Sequence, residues 1–433
     1  CKIEKYKEKV RKILSSYDGN IKIASIPVIQ FDLIFIDSIL KAYFSPDELE
    51  NCIMVDKLAH VFDRMNIPCK SLFAVYFKGK KFQLYRLLKG PDDKIGIDYR
   101  ESKKLKQQSI KKYVSNCNLR MFKELIDVCK DIAKFDDNTF WQLGEGLGIA
   151  FDAISQQKDL YVDAIKYYIK NDTPNNLPPD HLVDTLFSLL SDAEVYQIIN
   201  SGEYSQKNAW IYAYYHELPP DLISKNHLQE LYSFLKDTSD KDITFSTIRD
   251  VDFLDKYNRI DPQAFIKGCK IILAKMEYSP FIVHIYFASL FNKYCNTPQK
   301  IISKFNSNLE LLEEVYCAML SYDYNHHDYD GQFLKEIYLV KPSILDKYIS
   351  YLIDKKDNFF RSYQGRHRCF FCLDDFIKIY NKIFDQLIKN WDFLERSVPC
   401  FLESLLLPIR KEPDLLERED KWIRQCIQRF SND

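Results

Sequence analysis

Proline recurs along this chain at intervals that suit a repeating helical unit. LPPDHLVDTLFSLL at Leu177 is echoed by LPPDLISKNHLQELYSFL at Leu218, and Pro179, Pro220, Pro262, Pro298 and Pro342 follow one another at spacings of 41, 42, 36 and 44 residues. Each precedes a stretch whose apolar residues return with the helical period. Proline is at home in the first turn of a helix, where its missing N–H has no intrahelical partner to lose. After Pro342, for example, Leu345, Tyr348, Ile349, Leu352 and Ile353 fall at i, i+3, i+4, i+7 and i+8, which is one apolar face. A unit of about 40 residues holding two or three such helices cannot bury its faces alone, and stacks on neighbours. The expected fold is therefore all-α: a right-handed helical-repeat solenoid of TPR- or HEAT-like type.

Composition agrees. The 433 residues include only 11 glycines, about a third of ordinary usage, which argues against turn-rich β folds and βα units. Aromatic residues make up 15% of the chain and predict thick helix–helix interfaces. Sixty-one basic against 62 acidic residues leave a net charge of -1, so no global field draws the chain to nucleic acid or to an anionic membrane. No apolar run reaches the roughly 18–20 residues needed to span a bilayer. The 12 cysteines, among them Cys129, Cys269, Cys317 and Cys426, sit in apolar stretches and read as reduced core thiols of a cytosolic protein. The first residue is Cys1, which reads as the start of a piece of a longer polypeptide.

Near the N-terminus, Ser71–Leu88 leaves two alternatives open. Phe73, Val75 and Phe77 alternate before Lys78–Gly79–Lys80, as in a small β-hairpin, and a helix broken at Gly79 fits as well. The basic run Lys103–Lys112 carries five lysines and reads as a solvated helix face.

Several motifs carry candidate chemistry. Cys369 and Cys372 form a CxxC with His367 upstream, but no second pair completes a zinc site, and the intervening phenylalanines favour two core thiols over metal or redox chemistry. Asn325–Asp330 (NHHDYD) brings two imidazoles and two carboxylates into one loop, read as an exposed joint between helices or a partner contact. LGEGLG at Leu143–Gly148 has the glycines of a phosphate loop without a preceding strand or a Lys-Ser/Thr. Its small residues instead predict two helices in close approach. AWIYAYYHEL crowds aromatics onto one helix, where Tyr214 and Tyr215 are binding hot spots if they face outward. RSYQGRHR (Arg361–Arg368) gathers three arginines and a histidine. No nucleophile–base pair stands out, and no catalytic, cofactor or metal residues are assigned.

The succession from DLIFIDSILKAYFSPDEL through LGEGLGIAFDAI to YDYNHHDYDGQFLKEIYLVKPSILDKYISYLI resembles the C-terminal part of bacterial antiviral STAND NTPases (the Avs family), prokaryotic relatives of NLR immune receptors. The resemblance implies a sensor that binds a conserved phage protein, either the terminase large subunit or the portal, and so releases tetramer assembly and an effector, often a nuclease. It implies a bacterial cytoplasmic location, and places ATP and Mg²⁺ in a separate NTPase module whose Walker motifs this sequence lacks. Residues 1–116 would join that module to a sensor spanning 117–433. Tyr214, Tyr215, His326, His327, Tyr329, Arg366 and Arg368 are the expected partner contacts. A generic helical scaffold for host proteins is the alternative, and a standalone hydrolase or nuclease a further one.

Overall fold

The computed structural model describes residues 36–64, 69–90, 99–132, 140–171, 177–238, 251–277, 280–321, 328, 330–354, 369–370 and 372–389, with a few positions between 417 and 428. Among these residues all regular structure is helical. The hairpin alternative at Ser71–Leu88 is corrected. Ala74–Phe77 is a 3-10 turn, and a helix runs from Lys80 to Lys89. Burial explains the choice. Phe73 and Tyr76 are buried while Val75 between them is 48% exposed, a period of three and not two. Phe82, Tyr85 and Leu88 then continue one buried helical face.

Two compact units divide at Trp210 and Ile211, inside one helix. In the first unit the helices are α1 (Leu49–Arg64), α2 (Lys80–Lys89), α3 (Tyr99–Val114), α4 (Leu119–Ile132), α5 (Phe140–Ile154), α6 (Lys158–Lys170), α7 (Pro179–Leu189) and α8 (Asp192–Asn200). The helix α9 (Lys207–Glu217) holds the division. In the second unit they are α10 (Lys225–Asp237), α11 (Ala264–Leu273), α12 (Pro280–Ala288), α13 (Pro298–Lys304), α14 (Leu309–Ser321), α15 (Gln332–Val340), α16 (Ile344–Asp354) and α17 (Phe376–Lys389).

Several helices in each unit pack on the helix two places further on, beside contacts with adjacent helices and, for α2 with α5, three places on. In the first, α2, α4 and α6 form one row and α3 and α5 another. In the second, α12, α14 and α16 form a row, and α13 and α15 run beside it. The cause is the width of the apolar faces. Phe122, Leu125, Ile126, Val128, Cys129 and Ile132 of α4 are all buried, more surface than a single neighbour covers. Phe151 of α5 lies edge-on to Phe122, Tyr161 and Tyr168, tying three helices through one ring.

Polar cross-links keep the same beat. Lys293–Asp330 (3.0 Å), Gln299–Glu336 (3.5 Å) and Tyr338–Asp375 (2.9 Å) each join residues 37 apart. In the first unit Tyr167 reaches Asp127 across 40 residues at 2.8 Å.

The glycines of LGEGLG do allow a close approach. A Cβ on Gly146 would stand 2.2 Å from the carbonyl oxygen of Leu88, so α5 and α2 meet backbone to side-chain-free backbone. Gly146→Ala should therefore destabilise the fold by about 1–3 kcal/mol in denaturant unfolding. Gly79, whose Cβ would meet nothing within 4 Å, serves as the control, and Gly79→Ala should cost clearly less.

Candidate functional site

The polar joint between α14 and α15 is built around one carboxylate. Asp328 is buried and has a left-handed backbone (φ 49°). Its oxygens accept from the Tyr316 hydroxyl at 2.7 Å and from the backbone N–H groups of Phe333 at 2.9 Å and Leu334 at 3.0 Å. Those two amides belong to the first turn of α15, which lacks intrahelical partners and carries the positive end of the helix dipole. Gly331, also left-handed at φ 70°, returns its N–H to the Asp328 carbonyl at 3.0 Å. Phe291 lies edge-on to both Tyr316 and Phe333, sealing the joint. Asp330 faces the other way and pairs with Lys293. The expectation of a wholly exposed loop is thus corrected at Asp328, which is an internal helix cap. His326, His327 and Tyr329 lie outside the described residues, as do His367, Arg366 and Arg368.

The same neighbourhood receives the CxxC. The charges of Asp328 and Asp330 act on the Cys369 thiol, and burial, the larger effect, pushes it well above the ordinary range. Cys372 is exposed, so the reading of the pair as two core thiols is corrected. Core thiols do occur elsewhere: Cys129 and Cys269 are fully buried.

Tyr214 and Tyr215 do not face outward. They are 1% and 3% exposed, pack edge-on at 5.1 Å, and Tyr215 offers its carbonyl to the Tyr257 hydroxyl at 2.8 Å. Their hydroxyls reach toward His227 and Glu230 of α10, so apolar rings are buried while polar tips find partners at the rim. As partner contacts they are corrected to core.

The lysine-rich helix α3 is not uniformly solvated either. Lys106 is buried and donates to the Gln142 carbonyl at 2.6 Å and to Glu145 at 2.9 Å. Desolvation lowers its pKa, and Glu145 opposes that shift. Desolvation works against ionisation of Glu145, but hydrogen bonds from Lys106 and Lys103 outweigh it and hold the carboxyl below its usual range. The acid of LGEGLG is therefore a structural anchor for α3.

Within each unit, the described residues bring together no three His, Cys, Asp or Glu side chains at ligand distance. His181 and Asp152 pair at 2.6 Å on the surface, and the hydroxyls beside them, Ser155 and Thr185, donate to the backbone carbonyls of Asp152 and His181. An open groove of about 410 Å³ between α6 and α8 is lined by Lys166, Lys170, Glu194 and Gln197 over Val162 and Ile198. It offers salt-bridging groups and no catalytic constellation. No helix among the described residues is long and apolar enough to cross a membrane. No protein-family model, curated protein or solved structure matches the chain.

Two charges, buried Asp328 and half-buried Lys256, yield predictions. Asp328→Ala strands a buried hydroxyl and two helix N–H groups, and should cost about 2–4 kcal/mol in chemical unfolding. Asp328→Asn, which keeps an acceptor oxygen and tolerates the left-handed backbone, should cost less. Lys256 donates to the carbonyls of His216 and, at 2.9 Å, Leu218 at the end of α9. Burial lowers its pKa to about 8 from the ordinary 10.5, against the pull of Glu217. Between those values the unfolded chain holds a proton that the folded chain has released, so this group makes stability rise with pH. The stability of wild type relative to Lys256→Met should grow from pH 7.5 to pH 9.5. The thiols of Cys269 and Cys317, raised by burial, titrate in both proteins and cancel. A flat difference would contradict the assignment.

Proposed function

We propose that this chain is a protein-recognition module, a helical-repeat solenoid, and that it forms the sensor of an antiviral STAND NTPase gripping a phage terminase large subunit or portal. What supports the first half is the all-helical architecture with rows of helices packed two places apart, α2, α4 and α6 in one unit and α12, α14 and α16 in the other, and three cross-links in the second unit that each span 37 residues. Such arrays present long surfaces on which binding energy spreads over many contacts with a few anchors. The second half rests on the resemblance in three stretches of sequence. On this reading residues 1–116 connect to an NTPase module, which binds ATP and Mg²⁺ and assembles into a tetramer, and this chain supplies recognition alone. A scaffold for host proteins is the second reading, with the same architecture and a different partner.

The burial of Tyr214 and Tyr215 moves the proposed contacts elsewhere. In the second unit Tyr294 is 89% exposed and Leu339 54% exposed, large apolar side chains on a helix-joining turn and at a helix end. These, with His326, His327, Tyr329, Arg366 and Arg368, are the proposed anchors.

The purified chain should retain a co-expressed terminase large subunit or portal through size-exclusion chromatography, and should hydrolyse neither ATP nor nucleic acid. Tyr294→Ala and the Arg366→Ala/Arg368→Ala double variant should each weaken that complex by about 1–3 kcal/mol without moving the melting temperature. Retention of neither phage protein would defeat the sensor reading. Unchanged affinity in both variants would defeat the placement of the contacts.

A further inference from the structure

The turn that carries Cys369 and Cys372 is held from two sides. Phe370 is fully buried and lies edge-on to Tyr338 of α15, with ring centroids 5.5 Å apart. The Tyr338 hydroxyl donates to Asp375, three residues past Cys372, at 2.9 Å. Between these anchors residues 369, 370 and 372 take the 3-10 conformation, and the Leu373 N–H returns to the Phe370 carbonyl at 3.0 Å. In a 3-10 turn side chains three apart eclipse one another, with a rise of about 6 Å over that span. Disulfides accept Cα separations of about 4.4–6.8 Å. The Cys372 Sγ already turns back over the first cysteine, donating to the Cys369 carbonyl at 3.0 Å. Cys372 is exposed and Cys369 partly covered.

From this geometry we infer that Cys369 and Cys372 form a reversible thiol–disulfide site, in which exposed Cys372 reacts with a low-molecular-weight disulfide such as glutathione disulfide and Cys369 resolves the adduct. The Cys372 thiolate attacks one sulfur of glutathione disulfide, forms a protein–glutathione mixed disulfide and expels one glutathione thiolate. Cys369 then loses its proton to solvent, its thiolate attacks the Cys372 sulfur, and the second glutathione leaves. The protein dithiol is oxidised by two electrons, and one glutathione disulfide is reduced to two thiols. Burial and the acidic pair Asp328 and Asp330 disfavour the Cys369 thiolate, while Lys335 favours it. Resolution is therefore the slow step. Closure would staple the turn that precedes α17 and packs against Tyr338 of α15.

The test uses the full 433-residue chain, reduced and then placed in glutathione buffers rich in the disulfide, quenched with acid, alkylated and mapped by peptide mass spectrometry. The expected product is one Cys369–Cys372 linkage, reversed by dithiothreitol and preceded by a transient glutathione adduct on Cys372. In Cys369→Ser, and in Cys369→Ala should the serine variant not fold, that adduct should live at least tenfold longer. An equally long-lived adduct in wild type, linkage of Cys372 to any other cysteine, or no reaction at Cys372 would each overturn the assignment.

Discussion

The structure depends on apolar helix faces too broad for one partner. A fully buried aliphatic or aromatic side chain contributes about 1.5–3 kcal/mol, and that gain must offset the conformational entropy of ordering every residue. α4 buries six such positions and α11 another five among its ten residues, so each helix needs contacts on two sides. α4 finds them two places away on either side, at α2 and α6, whereas α11 finds them at α10 and α14. Aromatic residues suit it because one ring spans the gap between rows, as Phe151 does in the first unit and Phe291 in the second.

Broad apolar faces fix proximity but not register, since greasy surfaces slide. Register comes from polar groups that tolerate one partner only. A buried donor or acceptor left unpaired costs about 1–3 kcal/mol, so each internal polar contact penalises a shifted alignment. His284, buried in α12, donates its Nδ1–H to the Met319 carbonyl of α14 at 2.8 Å. Buried Lys275 donates to the carbonyl of Thr238, and Glu313 of α14 accepts from Ser343 and, at 3.2 Å, from Lys347. Asp328 performs the same service at a joint, turning an acidic loop residue into the cap of the following helix.

Helical content was plain in the sequence, because the apolar period of 3.6 is strong in nearly every segment. The proline spacing is a weaker guide. Prolines mark helix starts, but Pro298 opens α13 in one row and Pro342 precedes α16 in the other, so their spacing does not trace a fixed place in a repeating unit. Three cross-links of the second unit do share one spacing, 37 residues, and no local pattern reveals them. LGEGLG was read well, since small residues without a strand leave close helix packing as the economical account. Tyr214 and Tyr215 show the opposite case. A helix aromatic on all sides has no moment from which to choose a face, and only the tertiary environment shows that every side is covered. Asp328 was hidden for a related reason: among acidic neighbours, nothing local distinguishes the carboxylate that turns inward.

The 37-residue return of the cross-links also has a temporal meaning. Ribosomes extend a chain at about 5–20 residues per second, so the segment that completes a preceding helix pair arrives some two to seven seconds after it. In that interval the newest helix pair displays the face its successor will cover. Contacts this local in sequence keep contact order low and let each addition settle before the next emerges. The nascent chain therefore carries one unfinished hydrophobic end forward through its own synthesis, and never exposes its whole core at once.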